Sequence, residues 1–178
     1  SGDGNVIVIA GRKKIPRVYR WNGTDYISEE DLDGANVGSE TSAYSLDISD
    51  DGNTIVVGYV PTSSYNGLAR VYKYDAAGSP NVWPQSGSDI APVSSTSFGE
   101  SVAISSDGNH IAVGCISCIA NVGSAYVYSL SSGSWNQKGS RLDGYQVDGQ
   151  FGRSVSINND ATLLAVGGNS ADTGYVLI

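Results

Sequence analysis

Two stretches of this 178-residue chain are close copies of each other: FGESVAISSDGNHIAVG from Phe98 and FGRSVSINNDATLLAVG from Phe151. Repetition at a steady interval constrains a fold more than any single motif, because each repeat is one unit that buries its faces against its neighbours. Residues 49–58, SDDGNTIVVG, fall in the same frame, so Asp51, Asp107 and Asp160 recur at intervals of 56 and 53 residues. The opening SGDGNVIVIA fits as well, with Asp3 standing 48 residues ahead of Asp51.

Three further segments recur beside this one. RVYRW at Arg17, RVYKY at Arg70, YVYSL at Tyr126 and YVLI at Tyr175 form one set. WPQSGSDI from Trp83 and WNQKGSRL from Trp135 form another, with DYISEEDL around Tyr26 as a degenerate copy. SAYSLDIS from Ser42 is the divergent partner of the two Phe-Gly runs. In these runs Val102 and Ile104 alternate with Ser101, Ala103 and Ser105, and Asp107-Gly108 joins two of them as a tight hairpin turn does. The residues of the other face are small, as at Ala103, Ala112 and Ala125, which lets a second sheet pack closely on them. With 23 glycines, no methionine and 16% charged residues, the composition suits short strands and turns better than helices. Four antiparallel strands in a unit of about 53 residues describe a blade of a β-propeller. The expected fold is therefore all-β: one propeller domain or segment over residues 1–178, with blades near 1–34, 35–91, 92–144 and 145–178.

The phrases FGESVAISSDGNHIAVG, GSAYVYSL and SWNQKGSRLDG, followed again by FG, resemble the FG-GAP repeats of the integrin-α-type propeller. The resemblance is strongest over residues 94–167 and weakest where Ser42-Ala43 replaces FG. The phase of the repeats implies that the chain enters at the second strand of one blade and stops at the third strand of another. A ring typically closes with four to eight blades, and about three and a half are present here, so we expect a segment completed by further repeats or by another chain; the competing reading is a small, imperfect four-bladed ring in which the two ends meet.

The resemblance also implies calcium sites in the first hairpin of each blade, built on a D-x-[DN]-x-D-G-x-x-D loop. Here the last acidic position falls on Ile55, Ile111 and Leu164, and only Asp47, Asp50 and Asp51 gather as a weak candidate. No cofactor, calcium included, is expected; the aspartates suit the backbone of a tight turn. Cys115 and Cys118 follow a strand rather than opening a helix, so a loop-stapling disulfide is favoured over free thiols, zinc binding or redox catalysis. Asn22-Gly23-Thr24 is a candidate glycosylation sequon on a hairpin tip.

A net charge of −8 argues against a nucleic-acid partner, and no apolar run is long enough for membrane insertion. No nucleophile motif is present, and Glu29-Glu30 reads as a solvated acidic strand. Trp83 and Trp135 recur at one position of the repeat, which favours packing between blades over sugar stacking. In such blades the first-to-second and third-to-fourth turns emerge on one side, and the second-to-third loops on the other. The second side carries the varied loops, where recognition usually resides. It includes the basic GRKKIPR loop, so Arg12, Lys13, Lys14, Tyr59 and Tyr65 are the candidate contacts for a protein or glycan partner. The functional expectation is a secreted or cell-surface, non-enzymatic structural or adhesive interaction module. A lectin-like carbohydrate binder ranks second, and an enzyme with a loop-built site third.

Overall fold

A computed structural model of the chain describes residues 1–11, 15–32, 41–61, 66–78, 82–91, 95, 97–169 and 174–177. Four antiparallel sheets follow one another along the chain. The first contains β1 (Val6–Ile9), β2 (Arg17–Trp21) and β3 (Tyr26–Asp31). In the second, β4 (Thr41–Ile48), β5 (Thr54–Pro61) and β6 (Leu68–Lys73) are joined by bridges from Gln85 to Tyr72 and from Ile90 to Ala69. The third contains β7 (Phe98–Ile104), β8 (His110–Cys115), β9 (Ser124–Ser131), β10 (Ser134–Gln137) and β11 (Leu142–Asp143). The last contains β12 (Ser154–Ile157), β13 (Leu164–Asn169) and β14 (Gly174–Leu177). These are the blades of a β-propeller, and among the described residues only one helical turn, α1 (Cys118–Asn121), interrupts them.

The outer strands of blades two and three repeat down to their irregularity. Gln85 and Gln137 oppose Tyr72 and Tyr128, while Ile90 and Leu142 oppose Ala69 and Ala125. Between these pairs four residues face two, and the shared glycine of each motif, Gly87 or Gly139, takes φ of 77° or 75° to accommodate the excess.

Each blade presents a bulky face to the blade before it and a smaller one to the blade after it. Period-2 alternation makes the division. In blade two Ile55, Val57, Tyr59 and Tyr72 join Val6 and Val18 of blade one, whereas Val56, Ala69 and Val71 turn to the other side. There they meet Phe98, Ile111, Val113 and Tyr126 of blade three. Ala125 of blade three then packs with Phe151 and Val166. The three hydrophobic clusters of the described residues are thus three interfaces between successive blades.

The Phe-Gly motifs lock those interfaces at backbone level. Gly99 and Gly152 both have φ of 89°, and each presses its carbonyl onto a glycine of the preceding blade. A Cβ on Gly58 would lie 1.9 Å from the Gly99 oxygen, and one on Gly114 would lie 1.9 Å from the Gly152 oxygen. Gly67 and Gly123 meet the carbonyls of Phe98 and Phe151 in the same way, with a hypothetical Cβ at 2.1 and 2.2 Å. Ser45 Oγ donates to the Gly99 carbonyl at 2.8 Å, and Ser101 Oγ donates to the Gly152 carbonyl at 2.7 Å. These serines pair in register with Gly58 and Gly114. A side chain on either glycine would have to displace backbone and break that bond.

Gly114→Ala is therefore expected to cost about 3 kcal/mol or more in urea unfolding. Gly133→Ala, with open space around it, is expected to cost only the backbone strain of its φ of 76°, about 1 kcal/mol. Equal losses at the two positions would contradict the interlock. A gain is expected elsewhere: Gly4, Gly52 and Gly108 hold left-handed φ in the first hairpin turn, but Ala161 carries it in blade four at 55°. Ala161→Gly should stabilise the chain by about 0.5–1 kcal/mol, read by the same unfolding measurement.

Candidate functional site

The two edges of the blades differ in chemistry. One edge repeats a single hydrogen-bond code. In blade three Ser105 Oγ donates to Asp107 at 2.6 Å, Asn109 N donates to the same carboxylate at 3.0 Å, and His110 N donates back to Ser105 Oγ at 3.0 Å. Ser1, Asp3, Asn5 and Val6 form the same set, as do Ser49, Asp51, Asn53 and Thr54. Asn158, Asp160, Thr162 and Leu163 are the blade-four version. The Ser105 hydroxyl, with Asn109 behind it, holds the Asp107 carboxyl below the usual range; Thr162 does the same for Asp160. Asp3, bonded by the Ser1 hydroxyl and the Asn5 backbone, falls to about 2.

The calcium candidates do not converge. Asp47 accepts the backbone N–H of Ile48 and, across the interface, that of Ile104; burial pushes its carboxyl up. Asp50 accepts the Ser106 hydroxyl of the next blade at 2.6 Å, and Asp51 is the turn cap described above. Among the described residues no three acidic, histidine or cysteine side chains gather as a metal set. These carboxylates are committed to N–H and O–H donors.

The other edge is varied. Arg12, Lys13, Lys14 and Tyr65 lie outside the described residues. Tyr59 is not a surface contact: it is 2% exposed, and its hydroxyl lies 3.0 Å from that of Tyr72. Strand β5 extends to Pro61, so alternation turns Tyr59 into the interface with blade one. In blade three the expected disulfide is present, linking Cys115 and Cys118. It lies directly ahead of a turn in which Ile119, Ala120 and Asn121 all have left-handed φ, between 52° and 67°. Three consecutive non-glycine residues in that region are costly, and the covalent link fixes Cys118, the residue from which the turn departs.

Blade one opens a cleft of about 530 Å³ where β1 passes into β2, on the face turned away from blade two. Ile9, Ile15 and Tyr19 line it, with the Arg17–Asp31 ion pair at its side. This pair repeats the Arg70–Asp89 pair of blade two, in which Arg70 is buried and Asp89 reaches the surface. The cleft thus combines apolar surface, an aromatic ring and a charge pair, a composition suited to binding.

The repeated tryptophans pack between blades as their spacing indicates. Trp83 is 1% exposed, and Trp135 Nε1 donates to the Ser86 carbonyl at 3.0 Å. Glu29 and Glu30, expected to be solvated, instead bind blade two. Glu29 accepts Arg20 and Trp83 Nε1, while Glu30 accepts the backbone N–H groups of Val82 and Trp83. Only the recurrence of tryptophan one blade later hinted at this partnership. Asn22 is exposed on the β2–β3 tip, where its Oδ1 accepts Thr24 N and Asp25 N. Trp21 and Tyr26, 39% and 44% exposed, pack as a tilted pair beside it with centroids 5.1 Å apart. Tyr26 Oη donates to the Gly4 carbonyl, placing this tip with the aspartate turns.

No protein-family model matches the sequence, and no curated protein matches it. Among solved structures the chain is similar to hydrazine synthase of Kuenenia stuttgartiensis: 18% identity, TM-score 0.58, over 94% of this chain and 47% of that one. It is also similar to the C-terminal WD40 domain of Sif2 (17%, 0.53, 98% and 54%). A prolyl endopeptidase shares 10% identity at TM-score 0.57, over 93% of this chain and 25% of the other. The chain therefore spans between a quarter and about half of these neighbours, and the likeness is one of fold. None of the described helices is long and apolar enough to cross a membrane.

The turn aspartates give a testable pH dependence. Their folded pKa values lie below the ordinary 3.8, so their stabilisation is full above that value and is lost as pH falls through the lowered folded values, which for Asp3 is about 2. Asp107→Asn should flatten this acid limb in a chemical-unfolding series at pH 2–7. A limb unchanged in the variant would show that the turn carboxylate does not contribute.

Proposed function

We propose that this chain is a non-enzymatic, FG-GAP-type propeller segment that serves as a structural or adhesive interaction module outside the cytosol. The carrying observation is the contrast between its edges. One is built four times from the same turn, while the other offers loops of unlike length and chemistry on a backbone-locked scaffold. The cleft of Ile9, Ile15, Arg17, Tyr19 and Asp31 opens towards that varied edge. The integrin-type resemblance is supported by the Phe-Gly contacts, in which the motif's aromatic and glycine perform separate packing tasks. The Cys115–Cys118 link favours an oxidising compartment, and the exposed Asn22 is available there for glycosylation. The partner on this reading is a protein surface.

Carbohydrate binding has one observation in its favour, the exposed Trp21–Tyr26 pair on the turn edge. The two readings separate by edge. Immobilised chain is expected to retain suspended cells. Arg12, Lys13 and Lys14 changed together to serine should abolish retention, while Trp21→Ala should leave it intact. Retention lost only in Trp21→Ala, together with binding on a glycan array, would replace the protein-partner reading. A chain that retains no cells would remove the adhesive one.

A further inference from the structure

Blade four repeats the receiving half of the Phe-Gly lock. Ser154 pairs in register with Gly167, as Ser45 pairs with Gly58 and Ser101 with Gly114. The serine hydroxyl even keeps its position: a Cβ on each of these glycines would lie 2.3 or 2.4 Å from its serine Oγ. Gly174, paired with Asn169, takes the register place of Gly67 and Gly123. The difference lies in what comes next. At Gly58 and Gly114 the nearest atom is the carbonyl oxygen of an arriving glycine, whereas near Gly167 every close atom belongs to Ser154. Ser154 is exposed, and its hydroxyl has no hydrogen-bond partner among the described residues. The face around it is small and polar: Ser154, Ser156, Ala165 and Gly167 point away from the cluster that Val155, Leu164 and Val166 form with blade three.

We propose that this face of blade four is a docking socket for the inner strand of a further repeat of the same type, entered through an aromatic-Gly dipeptide. The incoming glycine takes positive φ, lays its carbonyl over Gly167 and accepts the Ser154 hydroxyl, while its aromatic residue seats towards β14. Two filled sockets in the same chain show what covers this surface. A second copy of the chain does not supply the occupant, because its Phe98 and Phe151 are already seated, at 0% and 1% exposure. The one departure is Val176, at the register position of Ala69 and Ala125. The inference concerns a lateral blade face and stands apart from the loop-edge function proposed above.

A synthetic peptide of residues 149–157, GQFGRSVSI, titrated into the intact isotope-labelled chain tests it. Amide shifts are expected at Ser154, Gly167 and Gly174. The same peptide carrying Phe151→Ala and Gly152→Val should produce none. Ser154→Ala in the chain should weaken binding about fivefold, the loss of one hydrogen bond. Gly167→Val should abolish binding while the rest of the spectrum stays folded. The proposal is overturned if a well-folded chain shows no shifts at millimolar peptide, or if the shifts map to Gly58 and Gly114. It is also overturned if sedimentation shows copies stacking through blade four in a way the peptide does not displace. Failure of these tests would leave the cell-retention experiment unaffected.

Discussion

The contact between backbone carbonyl and bare glycine is the constraint on which the rest of the structure depends. Two sheets packed through ordinary side chains stand about 10 Å apart. Where Gly99 meets Gly58, and Gly152 meets Gly114, no side chain separates the chains, and a serine hydroxyl fixes the meeting point. The inner strand of each blade is thereby placed by the blade before it. Phe98 and Phe151, one residue earlier, are carried into the interface clusters by the same act. Close approach at the inner edge and bulk further along make each blade a wedge, which is the shape a propeller requires.

The wedges stack with polarity. Large residues face backwards, as at Ile55, Tyr72, Ile111 and Tyr128, and small ones face forwards, as at Gly58, Ala69, Gly114 and Ala125. Such interfaces are heterologous, so each blade needs a different surface on either side. This explains why the repeat is conserved within the chain at glycine, serine and alanine positions as well as at aromatic ones. It also explains the Arg17–Asp31 cleft: Arg17 is half exposed, whereas Arg70, its counterpart in blade two, is buried. Polar links stitch the same interfaces from the rim: Asp47 to Ile104, Asp50 to Ser106, Glu30 to Trp83.

Much of this was legible in the sequence. Hairpin turns, strand alternation, the fourfold period and the packing of Trp83 and Trp135 follow from spacing, because period-2 burial and Asp-Gly turn chemistry are local properties. The disulfide followed from cysteines three residues apart at the end of a strand. Other features depended on contacts far along the chain. Tyr59 reads as a loop aromatic until β5 is seen to run on to Pro61, and Glu29 reads as solvated until Trp83 and Arg20 arrive beside it. Gly58 and Gly114 read as strand ends; only the carbonyl opposite each explains why no other residue fits. The left-handed turn at residues 119–121 contains no glycine, so nothing in the local code announces it.

The most direct test is the proton–proton distance between the interlocked glycines. The Cα of Gly58 lies 3.3 Å from where a Cβ of Gly99 would stand, and the Cα of Gly114 lies 3.2 Å from that of Gly152. Nuclear Overhauser spectra of glycine-labelled protein should therefore show cross-peaks joining Gly58 with Gly99 and Gly114 with Gly152. Spectra of a folded chain in which both cross-peaks are missing would contradict the interlock and the stacking order built on it.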